Sequence, residues 1–427
     1  MKTDIETQKR KQNMRLYSMY RAISMDLFFI YAIDFLFLTQ VKNISASDVV
    51  LKTSFYAFFM IVLQLPANIF IDKIGIRKSV ILANIFNAIY FLIIIFSRNL
   101  QDLIVAEFFS ALCFSIKDVS DTTLLNISIP DTDKKGDIFS KIEGKGNQNY
   151  YYINAISSVL AGFLYTINPY IPMILGTVIA VFAIVLSLGF QEIESDTDTN
   201  KEKFSTSEYM NDLVKSFKFI IKSNRIRSLI LYSGIMWGTF CLISTYRASL
   251  LEEVGISATW IAIVAAIVGI ASGIGSKYQL QFHKMFKNKS LSVLAITTAV
   301  TILLSGIVGL TNMNPNTIMI CVTIFFIISN LDKGIFGVLM TRYLGNFANE
   351  TILPKIYSIN NISRNLFRMI IGFLGSFILN VTNTANSLIL TGIIFVIVII
   401  ALISYMKTRT GLKPEEYKKE DIEFDIS

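Results

Sequence analysis

Long apolar stretches alternate with short polar segments along the whole chain. A helix that crosses a bilayer needs about 20 mostly apolar residues. Reading for such runs, bounded by charge or turn residues, gives twelve: 16–39, 50–71, 79–97, 102–127, 149–167, 171–190, 227–249, 257–278, 290–310, 316–341, 356–380 and 386–406. The longest interruption, 191–226, begins acidic and polar and reads as a linker. Its second part places Met210, Leu213, Val214, Phe217, Ile220 and Ile221 on one stripe, the pattern of an amphipathic helix. Six spans, a linker and six more spans form a two-half layout. The expected architecture is therefore an all-α integral membrane protein of twelve helices in two pseudo-symmetric bundles. These are 16–190 and 227–406, with tails at 1–15 and 407–427.

Composition sharpens this picture by exclusion. The 427 residues are 53% hydrophobic and 16% charged, whereas soluble domains carry about 25% charge. The three cysteines, Cys113, Cys241 and Cys321, sit singly in apolar stretches and form no disulfide framework. A net charge of +8 would suit a nucleic-acid binder only if it lay on a solvated basic face. It does not: twenty-eight Lys and Arg fall in the tails, the linker and the loops on one side, against Lys42 and Arg98 on the other. That asymmetry places both termini in the cytoplasm. The first span is too long for a removed signal peptide and lacks a small-residue cleavage site. No phosphate-binding G-x-x-x-x-G-K-[ST], no zinc spacing and no Ser–His arrangement is present, so an enzyme, a metal and a cofactor are not expected.

Between spans 2 and 3 the chain reads Asn68-Ile-Phe-Ile-Asp72-Lys73-Ile-Gly75-Ile-Arg77-Lys78. This resembles the signature loop G-x-L-x-D-R-x-G-R-R/K-K of the major facilitator superfamily, with Asp72, Gly75, Arg77 and Lys78 matching and Asn68 and Ile76 departing. The resemblance implies two six-helix bundles rocking about a central site lined by spans 1, 4, 7 and 10, with this loop as a cytoplasmic gate. Gly75 would permit the tight turn, and Asp72 would pair with a helix end or with Arg77. Span 5 lacks the G-P-x-x-G-G of the family's drug antiporters, holding only Gly162, and Glu107 stands where many members carry an Arg in span 4. Paired carboxylates in span 1 are nevertheless similar to those of some multidrug exporters of the superfamily.

Charges inside spans are costly and mark a cavity or a partner. They include Asp26, Asp34, Glu107, Lys117, Asp118, Asp121, Asp332, Lys333, Arg364 and Arg368, with Arg247 near the outer end of span 7. On a continuous helix Asp26 and Asp34 would lie about 80° apart, with Asp34 about 12 Å nearer the outside. Asp34 is the leading candidate for coupling or cargo binding, with Asp26 and Glu107 next. Structural pairing of Asp26 with Arg21 and of Asp121 with Lys117 is the alternative. Acids in the first half and cations in the second suit a cationic or zwitterionic cargo, or a carboxyl protonated in exchange for it. Phe35, Phe108, Phe109 and Phe114 could face a bulky amphiphile. Tyr150, Tyr151 and Tyr152 read as an interfacial belt and His283 as a solvated loop residue. Gly269, Gly273 and Gly275 in span 8, with Gly372 and Gly375 in span 11, read as close-packing faces.

The expected activity is ion-driven, proton-coupled export of a small amphipathic or cationic compound by a monomer in the inner (plasma) membrane, in contact with lipid and with no nucleic-acid partner. The rivals are an importer of a sugar, metabolite or short peptide, and a lipid or lipid-linked-sugar flippase using Arg364 and Arg368 on a phosphate.

Overall fold

The computed structural model describes residues 2–130, 135–193, 224–346 and 353–407, and among them all regular structure is helical. Twelve long helices follow one another: α1 (Lys2–Ser24), α2 (Ala46–Ile74), α3 (Ile76–Phe96), α4 (Leu100–Ser128), α5 (Lys135–Ile167) and α6 (Tyr170–Leu188), then α7 (Asn224–Glu253), α8 (Ala258–Phe286), α9 (Ser290–Gly309), α10 (Pro315–Asn346), α11 (Leu353–Val381) and α12 (Thr384–Lys407). Nine of the described helices, α2, α3 and α6 to α12, are long and apolar enough to cross a membrane. Of the three that fall short, α1 ends at Ser24 inside its apolar run, α4 carries Asp102, Glu107, Lys117, Asp118 and Asp121, and the apolar stretch of α5 opens with Tyr150, Tyr151 and Tyr152. The amphipathic stripe at 210–221 and almost all of the 407–427 tail lie outside the described residues.

The chain divides into two compact units. The first takes Met1–Ser45, Phe55–Thr206 and Ala258–Ala266; the second takes Ala46–Ser54, Ser207–Ser257 and Ile267–Ser427. The division cuts through α2 and α8, and contacts inside each unit show why. In the second unit Ser376 Oγ donates to Ser47 O at 2.8 Å, and Gly372 faces the Ser54 side chain so closely that a Cβ would come within 2.2 Å of its hydroxyl. In the first, Gly162 leaves room for Thr259 and Ala262. Large side chains such as Ile167, Phe377, Ile397 and Ile400 point outward, as apolar residues do where the solvent is lipid.

Span 1 departs from the continuous helix expected. After Ser24 the chain leaves the helix, passes through turns over 25–33 with Phe29 at φ 64°, and resumes as a short turn Asp34–Leu36 running into a π-helix, Phe37–Val41. No Pro or Gly marks the break. Non-helical backbone at membrane depth persists only where protein or trapped water satisfies its polar groups, and the surroundings do so here. Lys117 Nζ donates to Ser24 O at 2.7 Å, Leu27 N to Asp26 Oδ1 at 2.8 Å, and Tyr165 Oη to Leu36 O at 3.0 Å. Gly176 on α6 leaves space for the Phe28 carbonyl, which a Cβ there would approach within 2.9 Å.

Lys117 is one of four cations in the first unit seated on the carbonyl end of a helix, where the macrodipole favours positive charge. Arg10 Nη1 donates to Ile127 O of α4 at 2.6 Å. Arg77 donates to Leu188 O at 3.2 Å and to Phe190 O at 2.6 Å, closing α6. Lys42 Nζ donates to Ile95 O of α3. The described part of the polar stretch, residues 2–15, is thus the first half of a helix, held against the ends of α4 and α6 by Arg10, Gln12 and Asn13.

Candidate functional site

The break in span 1 decides where the acids of the first unit lie. Asp26 sits inside it, accepting from Tyr150 Oη at 2.7 Å and from Leu27 N. Asp34 opens the short turn beyond it, so the two no longer share a helix and the angular relation expected of them does not apply. Glu107 of α4 is buried. Tyr90 of α3 lies within the electrostatic reach of Glu107, Asp34, Asp26 and Tyr56, so all three acids act on one buried phenol. Tyr150 is buried and turned onto Asp26, while Tyr151 and Tyr152 are exposed as a belt requires.

A second cluster lies next to it. Arg21 is 3.5 Å from Asp121 and 3.1 Å from Glu143, so its partners are these two acids and not Asp26. Tyr20 Oη donates to Asp121 at 3.0 Å, Tyr17 Oη to Glu143 at 2.8 Å, and Asn84 Nδ2 to Tyr20 Oη at 3.1 Å. Asp121 is fully buried. The Lys117 amine, one turn away, is given to the Ser24 carbonyl. Asp118 is on the exposed side of α4.

In the second unit Asp332 is buried and accepts from Thr297 Oγ1 at 2.6 Å and Thr298 Oγ1 at 3.2 Å. Its neighbour Lys333 points elsewhere, with Nζ 5.6 Å from the centre of the Trp237 ring. Arg364 stacks between Trp237 at 5.3 Å and Phe336 at 5.4 Å, and its Nε donates to Ser233 Oγ at 2.8 Å. Arg368 follows one turn later, half-buried. His283 is not a loop residue: it is buried on α8, with Nδ1 3.0 Å from Ser290 Oγ and its ring edge-on to Tyr343. The reason is that α8 runs on to Phe286, beyond the end of its apolar stretch. Of the span 8 glycines, Gly275 packs against the Leu331 backbone, whereas Gly269 and Gly273 face open space. The tight partner is Gly334 of α10, where a Cβ would meet Ser272 O.

In the loop between α2 and α3, Gly75 adopts φ 88° and ψ 156°, a conformation that L side chains rarely take. Arg77 caps α6 as described, and Asp72 and Lys78 are exposed. Among the described residues no group of three or more His, Cys, Asp or Glu is placed to hold a metal.

The family described as Major Facilitator Superfamily matches residues 18–331, nearly three quarters of the chain. The chain belongs to the major facilitator superfamily. It is a transporter and not an enzyme. A relative, the uncharacterized MFS-type transporter YxaM of Bacillus subtilis (strain 168), is 23% identical over 306 residues, 70% of this chain and 73% of that one. Among solved structures, the nucleoside transporter NupG has TM-score 0.72 at 10% identity, covering 93% of this chain and 99% of that one. A POT family transporter in complex with 5-aminolevulinic acid has TM-score 0.63 at 13% identity, covering 95% and 96%. These likenesses show the fold, and twelve spans agree with it.

For this transporter, reading the sequence put Tyr150 in the interfacial belt instead of on Asp26, and missed Tyr90 and Glu143 in the first unit and Trp237, Ser233, Thr297 and Thr298 in the second. Trp237 had a signal available: it is one of only two tryptophans. The others are tyrosines, hydroxyls and one loop-assigned acid, residues common enough that only their partners single them out.

Proposed function

We propose that the protein exports a small amphipathic or cationic organic compound in exchange for protons, by alternating access, as a monomer in the inner (plasma) membrane with both termini cytoplasmic. The observation that carries this reading is the neighbourhood of Asp26, Asp34 and Glu107 around the break in span 1. Carboxyls gathered at membrane depth, beside phenols and broken backbone, can exchange a proton for a cation. Asp34 is the leading coupling or cargo-binding acid. Asp72, Gly75, Arg77 and Lys78 act as the cytoplasmic gate, Gly75 setting the turn and Arg77 fixing the end of α6.

The test is proton and dye flux in proteoliposomes under an imposed pH gradient. Asp34→Asn is expected to abolish coupled flux and Glu107→Gln to reduce it at least tenfold; unchanged cargo and proton flux in both variants sinks the reading. Import is the second reading, supported by the likeness in fold to a nucleoside transporter and a POT family transporter. Accumulation of one solute class down an inward proton gradient would replace export by import.

A further inference from the structure

The second unit gathers two cations on one indole. Lys333 comes from α10, Arg364 from α11 and Trp237 from α7, and all three are part-exposed deep within their helices. Among the described residues neither cation has a carboxylate partner. The acid adjacent in sequence, Asp332, is turned to the hydroxyls of Thr297 and Thr298 on α9, because successive helical residues face different ways. An indole face attracts cations but supplies no counter-charge, so neither positive group is neutralised by it, a costly arrangement inside a span. Arg364 is also held in place: Trp237 and Phe336 sandwich its guanidinium and Ser233 takes Nε. Its remaining N–H groups form a planar fork suited to an oxyanion.

We propose that Lys333, Arg364, Ser233 and Trp237 form a binding subsite for an organic oxyanion, a carboxylate or phosphate group, with the indole positioning both cations against it. This deepens the transport reading, on which it rests for the claim that the ligand is cargo: the compound carries an acidic group as well as a cationic one. The oxyanion comes either from a soluble solute or from a lipid head group, and the site chemistry is the same for both.

Trp237 reports on its own site once Trp260, the other tryptophan, is replaced by Phe. Purified full-length Trp260→Phe protein in detergent is titrated with benzoate, phenyl phosphate and, as the neutral control, benzyl alcohol, and its emission is compared in nanodiscs with and without phosphatidylglycerol. Benzoate or phenyl phosphate should change the emission saturably while benzyl alcohol does not. Arg364→Gln and Lys333→Gln should each weaken the response about tenfold, with Arg364→Lys losing less. A response confined to phosphatidylglycerol discs assigns the oxyanion to a lipid head group and also supports the subsite. No response to any anion overturns it, as does an equal response to benzyl alcohol or an undiminished one in the Lys333→Gln/Arg364→Gln double variant. The readout needs no transport. A protein that binds benzoate but shows no proton-coupled flux overturns the export reading alone, whereas intact flux with no anion response overturns the subsite alone.

Discussion

The two units handle positive charge in opposite ways. In the first, cations are consumed by the fold: Arg10, Lys42, Arg77 and Lys117 sit on helix carbonyl ends, and Arg21 lies between Asp121 and Glu143. In the second, Lys333 and Arg364 stack on an aromatic face with no carboxylate partner among the described residues. A charge that satisfies backbone or a buried acid belongs to stability, and removing it strands its partner. A charge that rests on an indole strands no buried ion when removed. The difference teaches which intramembrane charges to test for function and which to expect as failures of folding.

The largest effect should come from Arg21→Ala, which takes from fully buried Asp121 its salt-bridge partner at 3.5 Å and leaves it only the nearby charge of Lys117; a loss of about 3–5 kcal/mol is expected, read as a fall in the unfolding midpoint of purified protein. Adding Asp121→Asn should recover part of that loss, since the stranded acid is its source. Next is Lys117→Met, which removes the donor to Ser24 O at the break and should lose about 1–3 kcal/mol; hydrogen exchange at residues 25–33 should rise with it. Smallest is Arg364→Gln, expected to change thermal stability by about 1 kcal/mol, the worth of one hydrogen bond to Ser233. If Arg364→Gln proves as destabilising as Arg21→Ala, the contrast between the units fails.

Hydropathy and charge made the twelve spans and the family legible, because lipid imposes a length and a polarity that no tertiary contact overrides. The same signal hid the interior of span 1. Residues 25–33 read Met-Asp-Leu-Phe-Phe-Ile-Tyr-Ala-Ile, apolar enough for a helix and free of Pro and Gly, so the break comes from Lys117, Tyr165 and Gly176 on other helices. Arg21 shows the same limit. Spacing offered Asp26 at i+5, while folding brought Asp121 and Glu143 from α4 and α5. His283 was misplaced because an apolar run marks the edge of the membrane and not the end of the helix. Asp26, Asp34 and Glu107 stand out in the sequence as acids inside apolar runs, but their tyrosine neighbours depend on packing and left no spacing to read.

The break in span 1 also bears on the order in which the chain is built. Its carbonyl at Ser24 is answered by an ammonium 93 residues later, and Tyr165 and Gly176 come later still. Until those residues have been synthesised, residues 16–39 can satisfy their backbone in lipid only by coiling straight through. The break is therefore expected to form only once α4 has delivered Lys117 and α5 and α6 have closed around it. The segment that carries Asp26 and Asp34 is made before the residues that shape it.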